Sequence, residues 1–341
     1  MGLKELARQL GLSQTTVSRA LNGYPEVSET TRQRVNEAAG RFGYRPNANA
    51  IRLATGRVGA IGVALPLERS LHFGPHTSEF LSGIGERLAQ DDIDILVTPI
   101  DADDEVPVYR RLAASKRVDV VVLSAPTPDD ARIKILADLG MPFILHGRTD
   151  SPIPHAWLDI DNEAGFRRAT SHLLDLGHRR IAMVNGPAEQ TFAIHREKGY
   201  RDALIERGIT PDPRLIASGR FTDEIGFRHA QNFLDQRPRP TAILAGSMMT
   251  ALGVFRAIRT SGLELGKDVS MIAHDDVFPY LNADNMVPSM STTRSSMRAA
   301  GFRIGELALQ LLAGKPVETI HELWPVELVL RESSGPPPAG S

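Results

Sequence analysis

The chain contains no cysteine, and this absence removes several classes of site. A disulfide framework, a thiolate metal centre and a cysteine nucleophile all require the thiol group. Aromatic residues make up only 6% of the chain and hydrophobic residues 42%, which is ordinary for a globular protein. No apolar run approaches the roughly 20 residues that a membrane-spanning helix needs. A length of 341 residues therefore indicates a soluble chain of two or three domains.

Charge is unevenly distributed along the sequence. Residues 1–58 hold nine basic and four acidic residues, a net charge of +5, which leaves −7 for the rest because the whole chain carries −2. A basic head on an acidic body concentrates the attraction for phosphate at one end. Glu5, Arg8 and Gln9 interrupt the apolar pattern that a signal peptide would need at the N-terminus. We therefore expect a cytoplasmic protein with a nucleic-acid-binding head.

The first 22 residues contain two short amphipathic segments on either side of Gly11. Leu3, Leu6, Ala7 and Leu10 recur at the spacing of one helix face. Ser13 is placed to cap a second helix by accepting a backbone N–H. Two helices joined by a short turn that contains glycine are typical of the helix-turn-helix. The alternative is an ordinary N-terminal helical hairpin.

The second segment supports the DNA-binding interpretation through its exposed side. That side carries Gln14, Thr15, Thr16, Ser18 and Arg19, which are short polar groups and one guanidinium. These groups suit base edges and phosphates. A third helix from Ser28 to about Arg41 would close a small core, and residues 46–54 predict a helix too short to be stable alone.

From Val58 onward, apolar β-branched runs alternate with stretches of helical length. This pattern predicts a parallel sheet covered on both faces, repeated in two doubly wound halves. Ligands in such sheets bind beyond the carboxyl ends of the strands, so the halves should enclose a cleft. The predicted strands are 59–66, 93–100, 118–126, 141–148, 180–187, 241–247, 269–276, 291–293 and 324–331.

These segments predict a domain plan for the α/β chain. A helix-turn-helix domain over 1–45 is followed by a hinge helix or linker over 46–57 and a two-lobed effector-binding and dimerisation domain over 58–331. The N-lobe is expected at about 58–159 and 291–322, the C-lobe at about 160–290 and 323–331, and a disordered, Pro/Gly-rich tail at 332–341.

The order of these parts resembles the LacI/GalR family of transcription regulators. Residues 3–56, from LKELARQLGLSQTTVSRALN to AIRLATG, are similar to the family's head. The body has further matching landmarks at 173–187, 195–200, 250–276 and 291–294. Residues 275–297, with 144–148 and 244–253, look most like the regulators of α-glucoside utilisation. The resemblance implies a homodimeric, sugar-responsive repressor with a periplasmic-binding-protein-like body, bound to a pseudopalindromic operator in double-stranded DNA.

The resemblance also implies roles for residues of the head. Gln14 and Thr15 occupy the two main base-reading positions. Leu53 matches the hinge-helix leucine that wedges between base pairs from the minor groove, although without the family match it would be read as a plain helix contact. Neighbouring base or phosphate positions are occupied by Ser13, Thr16, Ser18, Arg19 and Asn22.

For the effector, the resemblance points to aromatic and charged residues of the cleft. Flat rings suit the C–H face of a sugar, and charged groups suit its hydroxyls. The implied residues are Phe73, Arg196, Phe221, Ser247 and Asp275, with His72 and His146 near loop or strand ends expected to line the cleft. Ser247-Met248 stands where the family commonly has Asn-Asp, and Gly147 stands where it often has Asp. The polar contacts to the ligand must therefore differ from those of galactoside regulators.

Two other functions fit parts of the sequence. A sugar-binding receptor or transport-associated protein without DNA function would explain the body, but the basic head opposes it. The ligand could instead tighten DNA binding, as in other regulators of the same family. The sequence does not determine whether the ligand raises or lowers the affinity for DNA. No catalytic constellation is present, so we predict neither an enzyme nor a cofactor or metal site. The effector, the operator and any assembly beyond a dimer stay open.

Overall fold

The structure is a computed structural model that describes residues 2–21, 24–44, 57–66, 74–100, 105–275 and 277–339. The side chain of Asp275 also lies outside the description. The chain separates into two compact units, Met1–Gly59 and Ala60–Ser341. The hinge helix predicted within residues 46–54 lies outside the described residues.

The first unit, which we call the head, contains three helices: α1 (Leu3–Leu10), α2 (Gln14–Leu21) and α3 (Glu29–Arg41). Gly11 ends α1 at φ 64°, a left-handed conformation that glycine adopts without steric cost, so the turn to α2 is tight. Leu6, Val17 and Val35, one from each helix, are fully buried against one another. The helical pattern of the sequence is confirmed, and the three apolar faces close a small core.

The first lobe of the second unit is a parallel sheet with the strand order β11-β5-β4-β3-β1-β2. Its strands are almost wholly apolar, as expected for a sheet covered on both faces. The lobe contains β1 (Ala60–Pro66), α4 (Pro75–Leu88), β2 (Asp94–Ile100), α5 (Val106–Ser115), β3 (Val120–Ser124), α6 (Ala131–Asp138), β4 (Phe143–His146), β5 (Ala156–Ile160), α11 (Met297–Leu312) and β11 (His321–Trp324).

The second lobe has a sheet of the order β12-β10-β9-β8-β6-β7, in which only β12 runs antiparallel to its neighbour among the described strands. It contains α7 (Asn162–Asp175), β6 (Ile181–Asn185), α8 (Thr191–Glu206), β7 (Ile216–Ser218), α9 (Asp223–Leu234), β8 (Ala242–Ala245), α10 (Met248–Thr260), β9 (Ser270–Asp275), β10 (Ser291–Arg294) and β12 (Glu327–Val329). Two doubly wound halves are thus confirmed. The longest described helices, α8 and α11, have 16 residues each, and none of the described helices is long and apolar enough to cross a membrane.

The predicted border between the lobes near residue 291 is wrong. Ser291–Arg294 pair in parallel with Ile272–Asp275 and antiparallel with Glu327–Val329, so β10 is a strand of the second sheet. The chain therefore crosses between lobes after Ile160, after Arg294 and after Trp324. The sequence misleads here because β10 is short and consists of hydroxyl residues and arginine, with no apolar run to mark its sheet.

The predicted disorder of the C-terminal tail is also wrong for its described part, 332–339. Ser333 is fully buried; its N–H donates to the Ser289 carbonyl at 2.9 Å, and its carbonyl accepts from the Met271 N–H at 2.8 Å. The Gly335 carbonyl accepts from the Ser270 hydroxyl at 2.9 Å. Composition predicts disorder from a lack of apolar burial. Here backbone hydrogen bonds to the second lobe hold the tail in place instead.

Each lobe contains a helix pair in very close contact. A Cβ atom on Gly253 of α10 would lie 1.9 Å from the Asp223 carbonyl oxygen of α9, and one on Gly301 of α11 would lie 2.1 Å from the Phe80 oxygen of α4. Only glycine permits this approach. The close contact brings the N-terminal ends of α9 and α10 together at the carboxyl edge of the second sheet, where the cleft is expected.

Candidate nucleic-acid interface and effector cleft

Helix α2 presents a polar face to solvent. Val17 and Ala20 are buried, whereas Gln14, Thr15 and Arg19 are exposed on the opposite side. Ser18 is half-buried at the edge of that face. Its position among the base-reading or phosphate-contacting residues stays a prediction, as do those of Gln14, Thr15 and Arg19.

Ser13 and Thr16 form the start of α2. The Thr16 N–H donates to the Ser13 Oγ at 3.0 Å, and the two hydroxyl oxygens lie 2.8 Å apart. The predicted capping role of Ser13 is confirmed. Both hydroxyls already have local partners, so any contact of Ser13 or Thr16 with DNA has to share or replace this pairing.

Two of the head's basic residues stabilise loops of the head. The Arg34 guanidinium donates to the Leu10 carbonyl at 2.6 Å, at the end of α1, and that of Arg32 donates to the Tyr24 carbonyl at 3.1 Å. Arg19, by contrast, extends from the exposed face of α2. Arg32 and Arg34 thus bind the head's own backbone, whereas Arg19 lies on the exposed face of α2.

Arg196 lies on α8, beside the carboxyl end of the second lobe's strand β8. It is only 5% exposed; its Nε donates to the Asn162 Oδ1 at 2.7 Å and its Nη1 to the Gly246 carbonyl at 2.8 Å. The guanidinium also lies over the rings of Phe166 and Phe192, 5.0 and 4.9 Å from their centroids. These contacts fix the plane of a cation at the carboxyl edge of the sheet, the place where α/β proteins bind ligands.

Aromatic rings from both lobes meet beside Arg196. The ring of His76, on α4 of the first lobe, lies 5.3 Å from that of Phe221 and 5.0 Å from that of Phe278, both in the second lobe. Phe221 lies in turn 5.9 Å from Phe192. The lobes also meet in the backbone, where the Thr191 N–H donates to the Pro126 carbonyl at 2.9 Å. Phe221 therefore lies at a junction of both lobes with flat apolar faces, and its contact with an effector stays a prediction.

Ser247, a predicted ligand contact, caps a helix in this structure, and its contact with a ligand stays a prediction. Its side chain is fully buried, and its Oγ accepts the Thr250 N–H at 3.1 Å, which makes it the N-cap of α10. His146, at the end of β4, stacks on Phe80 with centroids 4.7 Å apart and stays half-buried. The predicted residues Asn22, Leu53, His72 and Phe73, and the side chain of Asp275, lie outside the described residues.

Sequence reasoning missed a polar group formed by Arg148, Asp159 and His195. The Asp159 Oδ2 lies 3.2 Å from the Arg148 Nε and 3.9 Å from the His195 Nδ1. Burial raises the pKa of the Asp159 carboxyl to about 6, although the positive charge of Arg148 opposes the rise. Burial and the charge of Arg148 both lower the pKa of His195. One signal was available: Asp159 lies near the end of the apolar strand β5 and Asn162 follows it, so both are near the carboxyl edge of the sheet.

Comparison with known families agrees with both units. Residues 60–318 match the family described as periplasmic binding proteins and sugar binding domain of LacI family. Residues 2–47 match the family of bacterial regulatory proteins, lacI family. The order of head and body in the chain is thus the order of these two matches.

Individual relatives match along nearly the whole chain. The chain is 45% identical to the HTH-type transcriptional regulator AglR of Rhizobium meliloti (strain 1021), over 99% of this chain and 95% of that one. The lac repressor dimer bound to operator and the anti-inducer ONPF is 28% identical, with a TM-score of 0.78 over 98% of this chain and 99% of that one. A complex of the transcriptional regulator CelR with cellobiose is 27% identical, with a TM-score of 0.72 over the same shares. The chain therefore belongs to the LacI family of bacterial transcription regulators.

Proposed function

We propose that this LacI-family regulator is a cytoplasmic, homodimeric repressor of sugar-utilisation genes that responds to an α-glucoside. The observation that carries the proposal is the pairing of two surfaces in one chain: a capped helix with an exposed polar face, and a cleft with a fixed guanidinium among aromatic rings. The α-glucoside class rests on the similarity of residues 275–297 to regulators of α-glucoside utilisation. The proposal assigns neither catalysis nor a cofactor to the chain.

On DNA, α2 is the helix that would enter the major groove. Gln14 can form a bidentate pair with adenine N6 and N7, and Arg19 can bind guanine O6 and N7 or a phosphate. Thr15 and Ser18 complete the reading face, with Asn22 beyond it, and Leu53 supplies the minor-groove wedge. Two heads on one two-fold axis would read a pseudopalindromic operator, because the dimer sets the spacing of the half-sites.

In the cleft, the sugar would contact both lobes. The ring of Phe221 offers a flat face to C–H groups, and Arg196, held by Asn162 and the Gly246 carbonyl, meets sugar hydroxyls in a fixed orientation. Phe73, Asp275, His72 and His146 are proposed as further contacts. Sugar binding changes operator affinity only by the ratio of its affinities for the two arrangements of the lobes.

Operator binding with and without sugar tests the proposal. An operator is first selected from a random duplex pool with the full chain. Fluorescence anisotropy then measures its Kd in the presence of maltose, sucrose, trehalose or cellobiose. We expect at least one α-glucoside to weaken binding about 10-fold or more, within the usual range of allosteric coupling. Tighter binding would indicate corepression, and an unchanged Kd with every sugar would contradict the sugar response.

Salt dependence tests the DNA-binding half separately. Phosphate contacts release counterions, so the logarithm of the binding constant should fall linearly with the logarithm of salt concentration. A receptor without DNA function would show no saturable binding to any duplex. The match of residues 2–47 to the family's regulatory head favours the regulator.

A further inference from the structure

Two polar atoms, one from each lobe, face each other without forming a hydrogen bond. Asp159 belongs to β5 of the first lobe, Arg148 follows β4, and His195 belongs to α8 of the second lobe. The Asp159 Oδ2 and the His195 Nδ1 are both buried and have no hydrogen-bond partner among the described residues. They face each other at 3.9 Å, which is too long for a direct hydrogen bond.

The gap of 3.9 Å is one that a single bridging oxygen atom could span. An oxygen about 2.8 Å from each of the two atoms would lie beside the line that joins them and subtend an angle of about 90°. The other carboxylate oxygen of Asp159 already accepts the Ile160 N–H at 2.8 Å, so Oδ2 is the one directed at His195. Buried polar atoms without partners are rare because they cost free energy, and one hydroxyl between this pair would satisfy both atoms.

The gap adjoins the proposed effector cleft. His195 precedes Arg196 on α8, and Asn162, which holds the Arg196 guanidinium, follows Asp159 by three residues. Arg196 is also among the charged groups that act on the Asp159 carboxyl. The gap and the Arg196 guanidinium thus belong to the same two segments, residues 159–162 and the first turns of α8.

The charges around the gap select the kind of substituent. Arg148 and Asp159 are oppositely charged and 3.2 Å apart, so together they are neutral. A phosphate or carboxylate would meet the buried Asp159 carboxylate, and an ammonium would meet Arg148. A hydroxyl can donate to the Asp159 Oδ2 and accept from an N–H at the His195 Nδ1.

We propose that Arg148, Asp159 and His195 form a subsite that binds one hydroxyl of an unphosphorylated sugar and so contributes to effector specificity. This subsite rests on the proposed function, since it deepens the assignment of a sugar effector. Asp159 and His195 contact the hydroxyl, and Arg148 is a positioning residue that compensates the charge of Asp159.

Isothermal titration calorimetry of the full chain with maltose, sucrose and trehalose tests the subsite. Asp159→Asn and His195→Leu should each weaken binding about 10- to 100-fold, the usual range for a hydrogen bond to a charged or buried partner. His195→Asn keeps an amide near the Nδ1 position and should stay within about 3-fold of wild type. Asp138→Asn is the matched control, because Asp138 is an exposed carboxylate of the first lobe paired with Lys134.

A series of monodeoxy derivatives of the sugar that binds separates ligand contact from a structural role. Wild type should bind one deoxy derivative about 10- to 100-fold more weakly than the parent sugar. Asp159→Asn should bind that derivative and the parent sugar equally well. Circular dichroism and duplex binding without sugar confirm that each variant is folded.

Three results would overturn the subsite. Glucose 6-phosphate binding as tightly as the neutral sugars would contradict the charge argument. Sugar binding that is equal in wild type, Asp159→Asn and His195→Leu would remove the subsite and leave the sugar effector in place. Failure of all three sugars to bind wild type would overturn the α-glucoside assignment and the subsite with it.

Discussion

Replacing Asp159 by Asn should stabilise the protein in the absence of sugar, and by an amount that depends on pH. The pKa of this carboxyl is raised from an ordinary value of 3.8 to about 6. Its ionised form is therefore disfavoured in the folded state, and about two pKa units correspond to about 3 kcal/mol at pH 8. The charged groups that act on it include Arg148, Asp161 and Arg196, and the titratable His195 also faces it. The Asn variant keeps the shape of the side chain and lacks the buried charge.

The sign of the pH dependence follows from the direction of the shift. A raised pKa in the folded state contributes stability at low pH that is lost as the pH rises from the unfolded value of 3.8 through about 6. The advantage of Asp159→Asn over wild type should therefore be largest at pH 8 and fall to roughly half at pH 5. A stabilisation of about 3 kcal/mol would raise the melting temperature of the body by roughly 6 °C at most, given its size.

Differential scanning calorimetry at pH 5, 6, 7 and 8 measures this advantage. Asp138→Asn, at an exposed ion pair, should change the melting temperature by less than about 1 °C at each pH. The destabilising effect of the buried charge would be refuted by either of two results. In one, Asp159→Asn melts at a lower temperature than wild type at pH 8. In the other, the two melting temperatures differ by the same amount at every pH. Either result would show that the Arg148–Asp159 pair stabilises the fold and that its burial has no net cost.

Three other predictions concern the head, the body and the tail. Gln14→Ala should weaken binding to the selected operator by about 1–3 kcal/mol in an anisotropy titration while leaving binding to random duplex within 2-fold. Gly253→Ala should destabilise the body by about 1–3 kcal/mol or more in urea unfolding, because its Cβ would meet the Asp223 carbonyl at 1.9 Å. Ending the chain after Arg331 should lower the melting temperature of the body by several degrees through the lost contacts of Ser333, whereas ending it after Gly335 should not.

The fold was predictable to the extent that hydrophobic periodicity determines it. The faces of α1 and α2, the turn at Gly11 and the apolar strands of both lobes follow from the spacing of apolar residues, which burial in a core requires. The strand Ser291–Arg294 was assigned to the wrong lobe because its partners, β9 and β12, are recognised only once the sheet is assembled. Short polar strands carry no burial signal of their own.

The candidate site was predictable only in part, for a related reason. Arg196 and Phe221 were proposed from family resemblance, and the structure places the Arg196 guanidinium 5.9 Å from the Phe221 ring centroid. Asp159 and His195 were missed because a buried polar side chain gains its role from a partner distant in sequence. The capping role of Ser247 was also missed, because a serine at a helix start can cap the helix or contact a ligand. Its full burial and its bond to the Thr250 N–H establish the cap.

The connections between the lobes explain how a sugar could influence DNA binding. The chain crosses at the segments after Ile160, Arg294 and Trp324, and the two lobes also meet through contacts such as His76 with Phe221. Short crossings of this kind allow the lobes to rotate against each other while each sheet stays rigid. A sugar that contacts both lobes favours one rotation, and the first strand of the N-lobe follows directly on the linker to the head. Coupling then needs only a difference in sugar affinity between rotations, so the proposed interlobe subsite at Asp159 and His195 would affect regulation more than a contact within one lobe.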